Sequence, residues 1–156
     1  MHTKIIEADV SHTAIIATIG KKSFRNAFEH LFKSKEELFE YLEYTYDPMK
    51  LAKSMRKGNN VYLLAFNDGA PVGFAKIKKH SLNDQIEAGA QVELQKIYVL
   101  PEHHGKGIGT ALLKEVKNLA REIYPDYIWL DTSINNEKAI RLYEKNGFRK
   151  MGSYYF

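Results

Sequence analysis

From residue 91 to residue 100 the chain reads QVELQKIYVL, and within it the alternation of apolar residues slips by one place. Val92 and Leu94 share one face of an extended segment, yet the next strong apolar residues, Ile97 and Val99, stand three and five places beyond Leu94. Strand side chains alternate with period two, so Leu94 and Ile97 reach one side only where an extra residue is inserted. The spacing therefore predicts a β-bulge near Gln95 and Lys96, a device that bends a strand and ends its regular pairing. PEHHGKGIGTALL follows at once, with glycine at 105, 107 and 109. Ile108, Leu112, Val116, Leu119 and Ile123 then mark one face of a helix. Any fold for this chain must hold a bulged strand, a glycine-rich loop and an amphipathic helix in direct succession.

The remaining segments supply what surrounds that unit. Residues 3–7 read as a first strand, and 11 to about 30 as a helix carrying Ile15, Ile16, Ile19, Phe24 and Phe28. The stretch SKEE at 34–37 is a capping-box pattern that opens a helix to about residue 46. Pro48 suits the first turn of a further helix, which GNN at 58–60 ends near residue 57. Strands at 61–66 and 72–78 flank NDGA, a hairpin signal. A polar loop occupies 81–89, a strand 127–131, a helix 136–146 closed by Gly147, and a last strand 148–154. Helices, an antiparallel hairpin and a β-α-β unit in this order predict an α/β (α+β) fold with a mixed sheet, not a doubly wound one.

A chain of 156 residues with this apolar content is read as one domain, 1–156. The absence of cysteine removes disulfides, thiolate metal sites and a cysteine nucleophile, and no zinc-finger spacing is present; no metal site is expected. The net charge of +4 comes from 23 basic and 19 acidic residues dispersed without a run of like charge, so no nucleic-acid partner is expected. A smaller polyanion accounts for that excess equally well. The longest apolar stretches are strand-sized and the opening MHTKIIEADV lacks the pattern of a secretory signal, so a cytoplasmic protein with no membrane partner is expected.

The glycines fit neither of two familiar phosphate loops. Thr110 and Ala111 follow Gly109 where the Walker pattern needs Lys and a hydroxyl residue, and Thr110 occupies the third glycine position of the dinucleotide fingerprint. What remains is a loop of small residues ahead of a helix N-terminus, where unsatisfied N–H groups and the helix dipole suit an anion such as pyrophosphate. Lys106 and Thr110 add a charge and a hydroxyl, and the first turn carries no acid. The competing reading is a tight turn that needs glycine for its dihedral angles. One glycine would satisfy that reading, and the chain has three.

LQKIYVLP at 94–101, HGKGIG at 104–109 and NEKAIRLYEKNGF at 136–148 together resemble the GNAT N-acetyltransferases. SFRNAF at 23–28 and YLEYTY at 41–46 are similar to PaiA-type polyamine (spermidine/spermine) acetyltransferases. The resemblance implies a GNAT-like, mostly antiparallel sheet flanked by helices, with its central strand splayed from the next. It implies acetyl-CoA as co-substrate, its pyrophosphate held by the loop of His104, Gly105, Lys106, Gly107, Ile108, Gly109 and Thr110. The backbone of Ile97, Tyr98 and Val99 would pair with the pantetheine arm. Asn136, Ala139 and Tyr143 lie at helical spacing on a face that would meet the pantetheine and sulfur end, and Lys138 and Lys145 on the same helix join the cofactor-binding set. An amphipathic core role is the other reading of Tyr143.

An ammonium has no lone pair, so acetyl transfer to an amine needs a proton acceptor. Glu93, just ahead of the bulge, is the candidate, acting through water; a solvated strand-face glutamate is the alternative of equal weight. Without cysteine, direct attack in a ternary complex is the simple course, and Tyr143 can donate to the departing thiolate. Lys96 and Tyr98 flank the strand without a specific catalytic signature. Glu36, Glu37, Glu40, Glu43 and Asp47 give the second helix an acidic character. A polyamine would favour such a lip, and an ordinary solvated face is the alternative. Amino-acid or protein N-terminal or lysine amines are rival acceptors, and a CoA-binding regulatory module without transferase activity is the rival function. His104 stands where the family usually has Arg or Gln, and the family usually supplies another strand after the position of Phe156; the sheet edge is expected to be left short, or to be covered by a partner chain, as in a homodimer, or by a missing tail.

Overall fold

The computed structural model of the chain describes residues 2–83, 91–123 and 127–153. Its strands are β1 (Thr3–Glu7), β2 (Asn60–Asn67), β3 (Ala70–Lys79), β4 (Gln91–Val99) and β5 (Tyr127–Trp129). Its helices are α1 (Thr13–Phe28), α2 (Lys35–Thr45), α3 (Pro48–Met55), α4 (Ile108–Ile123) and α5 (Glu137–Lys145). Local chemistry sets the boundaries. Ser34 accepts from the Glu37 N–H at 3.1 Å to start α2, and Asp47 accepts from the Met49 N–H at 3.2 Å to start α3 behind Pro48. Asp68 and Gly69 both take positive φ, 50° and 86°, the conformation of a two-residue hairpin turn between β2 and β3.

The five strands lie in sequence order, antiparallel from β1 to β4 and parallel between β4 and β5. Each face of the sheet carries its own core. Val61, Ala75, Ile77, Val92 and Leu94 pack with Ile108, Leu112, Leu113 and Val116 of α4 on one side. Tyr62, Leu64 and Phe74 pack with Ile16 and Ile19 of α1, Leu38 and Leu42 of α2, and Leu51 of α3 on the other. This is the mixed, mostly antiparallel sheet flanked by helices expected from the sequence.

The bulge is where the alternation put it. Lys76 pairs with Lys96 but Ile77 pairs with Leu94, leaving Gln95 as the extra residue of β4. A second shift was not anticipated: Ala65 pairs with Gly73 and Phe66 with Pro71, whose missing N–H interrupts the ladder. The helix expected over 11–30 is narrower, with 3₁₀ turns at Val10–His12 and Glu29–Leu31 on either side of α1. The strand expected over 127–131 stops at Trp129, and most of the loop expected at 81–89 lies outside the described residues. The strand expected over 148–154 does not form across 148–153, and Tyr154 lies outside the described residues. Phe148 turns its N–H back to the Tyr143 carbonyl at 3.0 Å and its ring onto that of Tyr143, so this segment is fastened to α5 instead of a ladder.

Candidate active site

The bulge opens a seam in the sheet. β4 pairs with β5 only through Gln91–Tyr127, Val92–Ile128 and Glu93–Trp129, whereas its ladder with β3 continues to Val99. Beyond Glu93, the outer edge of β4 has no strand beside it among the described residues. Ile97 and Val99 direct their side chains to the α4 core, and Tyr98 lies on the opposite face with Phe74. The chain itself occupies the far end of the seam. His104 Nε2 lies 2.8 Å from the Val99 carbonyl oxygen, and Lys138 Nζ lies 2.8 Å from His104 Nδ1. An ammonium only donates and a carbonyl only accepts, so the ring is neutral, with its hydrogen on Nε2. His104 thus joins β4, the loop and α5, and it engages both Lys138 and the Val99 carbonyl. For the His104 ring to reach a bound pyrophosphate, this clasp would have to open.

Each loop glycine has a local reason. Gly105 and Gly107 take positive φ, 77° and 79°, and a Cβ on either would meet nothing within 4 Å. Gly109 lies against α5, where a Cβ would stand 3.1 Å from Leu142 Cδ2. Turn geometry and packing therefore account for all three, and their number alone does not point to a ligand. The space does. The N–H groups from Gly105 to Thr110 donate to no acceptor in the chain among the described residues, and Ala111 makes the first helical bond, 3.0 Å to the Gly107 carbonyl. No acid lies in the first turn of α4, and the Lys106 and Thr110 side chains are exposed. Ile108 is buried in the core, so only its backbone can face a ligand. Open space before free donors at the positive end of a helix suits a pyrophosphate.

On α5 the sequence assignments divide. The Asn136 side chain accepts from the Ala139 N–H at 3.3 Å, so Asn136 caps the helix instead of lying free on its face. Ala139 and Tyr143 are half-buried on the inner face, and Lys145 is exposed in the last turn. No residue of α5 is fully buried although the helix is amphipathic. Tyr143 packs at the α4 core, and burial, with Tyr98 contributing, pushes its hydroxyl up to about 12. Tyr98 in turn acts on Tyr46, which is buried at the end of α2.

Glu93 sits at the last paired position before the seam and accepts from the Ser81 hydroxyl at 2.8 Å. Of the acids on and beside α2, Glu43 pairs with Lys21 at 2.8 Å, Asp47 caps α3, and Glu37 accepts from the Lys33 N–H at 3.3 Å. Glu36 and Glu40 share a surface groove with Arg25 and Lys35. No continuous acidic lip forms. Sequence reasoning missed Tyr46, whose ring packs directly on Gly20 of α1, and Lys76, which faces Lys96 across the ladder. The helical glycine was the available signal for the first. The second needs the strand register.

The sequence profile of the Acetyltransferase (GNAT) family matches residues 22–148. An uncharacterized N-acetyltransferase of Mycobacterium tuberculosis is 29% identical over 118 residues, 76% of this chain and 71% of that protein. Among solved structures, PaiA N-acetyltransferase from Thermoplasma acidophilum in complex with coenzyme A superposes with a TM-score of 0.81, covering 96% of this chain and 91% of that one at 22% identity. AAC(6')-Iy in complex with a bisubstrate analogue superposes with a TM-score of 0.76 at 18% identity, covering 100% and 97%. The profile spans most of the chain, the same stretch that holds the bulge, the loop and Tyr143, and the chain belongs to the GNAT acetyltransferase family.

Proposed function

We propose that this protein transfers the acetyl group of acetyl-CoA to a primary amine by direct attack in a ternary complex. The reading rests on the seam beyond Glu93 and the free N–H groups of the loop, with Tyr143 packed at the α4 core. Acetyl-CoA supplies a thioester whose carbonyl carbon takes the amine lone pair, the C–N bond forming as the C–S bond breaks. The N–H groups from Gly105 to Thr110, with Lys106, hold the pyrophosphate. The unpaired edge of β4 at Ile97 and Tyr98 lies beside the pantetheine arm, and α5 closes the other side with Ala139 and Tyr143.

An alkylamine titrates near the lysine value of about 10.4 and must lose a proton before it attacks. Glu93, steadied by Ser81, accepts that proton through water. Tyr143, held up at about 12, stays protonated at neutral pH and donates its hydroxyl hydrogen to the departing sulfur. Glu36 and Glu40 share their groove with Arg25 and Lys35, so the acceptor class is left to the panel. The test is thiol release from acetyl-CoA with a panel of polyamines, amino acids and peptide N-termini. Release with any amine supports the transferase. Tight CoA binding with no release across the panel would make the protein a CoA-binding module.

A further inference from the structure

On the sheet face that carries α1 to α3, β3 and β4 match side chain to side chain: Phe74 with Tyr98, Lys76 with Lys96, and Lys78 with Glu93. Like charges directly opposite on a ladder oppose folding. Lys76 and Lys96 are nevertheless half-buried there, and neither makes an ion pair among the described residues. Aromatic rings hold both ammonium groups in place: Lys76 Nζ lies 5.7 Å from the ring centre of Tyr62, and Lys96 Nζ 4.9 Å from that of Tyr46. Lys57, Lys78 and Lys96 add positive charge around Lys76, and Glu93 is the carboxylate that acts on it. Burial and this crowding push the Lys76 ammonium down to about 8, and burial with Lys50 lowers that of Lys96.

The pair also stands next to the reacting centre. Lys96 lies over the Tyr46 ring, and Tyr98 acts on both Tyr46 and Tyr143. Residues two apart on one strand face are separated by about 7 Å, within the span of a small molecule. A polycation bound beside Glu93 would bring its second ammonium against Lys76 and Lys96. A carboxylate there would instead accept from both.

We propose that Lys76 and Lys96 form the anion-binding half of the acceptor site, so that the acceptor is a small primary amine bearing its own carboxylate. This rests on the acetyl-transfer reading above. The test compares ω-amino acids with monoamines and diamines of the same chain length. The wild-type protein should acetylate the best amino acid with a kcat/KM about tenfold or more above the matched monoamine, the effect of charge-assisted hydrogen bonds to one carboxylate. Lys76→Met and Lys96→Met should shrink that ratio towards one, and Lys96→Glu should turn the preference towards diamines. A wild-type preference for diamines, or a ratio unmoved by all three substitutions, would overturn the proposal. If no amine is acetylated, the transferase reading fails, and calorimetry on the CoA-loaded protein still decides this one: amino acids that bind, and bind more weakly to Lys96→Met, support it, and no binding overturns it. Removing one of two facing charges should leave the fold intact, and Lys76→Met decides the matter if Lys96→Glu does not fold.

Discussion

Tyr143 shows how one side chain takes its chemistry from its surroundings. Burial favours the neutral phenol and lifts it to about 12, so it remains a donor across the range in which an amine acceptor is deprotonated. Tyr143→Phe should lower turnover by about a hundredfold, within the usual span for a lost general acid, while acetyl-CoA binds with nearly the same Kd. An unchanged kcat where chemistry limits the rate would remove Tyr143 from the mechanism. His104 is a different case. Its neutral ring accepts from Lys138 and donates to Val99, so arginine there would leave Lys138 facing a second cation. His104→Arg should therefore lower Tm by several degrees more than His104→Gln, whose amide both donates and accepts. Equal Tm values for the two variants would show that the clasp contributes nothing.

At the scale of elements, α4 and its loop separate turn geometry from ligand contact. Asparagine tolerates positive φ, so Gly107→Asn keeps the turn while placing a side chain in the open space before the N–H groups. CoA affinity should fall by about tenfold or more with Tm nearly unchanged, the loss of roughly one charge-assisted hydrogen bond. Unaltered affinity would place the pyrophosphate elsewhere. Gly20→Ala tests the far wall: its methyl would strike the ring of Tyr46, and overpacking of about 1–3 kcal/mol should exceed the helix-propensity gain of about 1 kcal/mol. These elements differ in how far the sequence discloses them. The bulge at Gln95 was legible because period two permits no other explanation for the Leu94 to Ile97 step. The loop was legible as an anion site, but the packing duty of Gly109 was not, because Leu142 approaches it from another helix. The opposition of Lys76 to Lys96 depends on the inserted residue and on a register that no single strand encodes. The same holds for residues 148–153, whose pattern suits a strand but whose first residue is bonded back to α5.

Across the whole molecule, the lysine pair has a thermodynamic signature. Around Lys76 stand Lys96 and Glu93 from β4, Lys78 from its own strand, Lys57 beyond α3 and the ring of Tyr62 from β2. Its ordinary value of 10.5 falls to about 8 on folding, so the unfolded chain binds more protons between those limits and stability rises with pH there. Below about 8 both states hold the proton and the fold carries the full cost. Lys76→Met should therefore raise Tm at pH 7, with the gain shrinking as pH rises through 8 towards 10.5. A gain that stays constant with pH would trace it to packing instead of charge.

The short pairing between β4 and β5 divides the molecule by cooperativity as well as by space. β1 to β4 are joined by long ladders, while β5 and α5 add to three ladder pairs the packing of Ile128, Leu142 and Tyr143 on the α4 core, the Trp129 indole on the Ser81 carbonyl, the His104 contacts and the Lys117 ammonium on the Asn146 carbonyl. Segments with few fully buried side chains open before the rest of a domain unfolds. Amide hydrogens of α5 should thus exchange with solvent sooner than those of β2 and β3. A ligand lodged in the seam acts as a removable rung: at a hundred times its Kd it adds about 2.7 kcal/mol to stability. That addition should register as slowed exchange concentrated in β5 and α5, so these two elements report occupancy. Slowing spread evenly over every strand would mean instead that the domain opens as one unit.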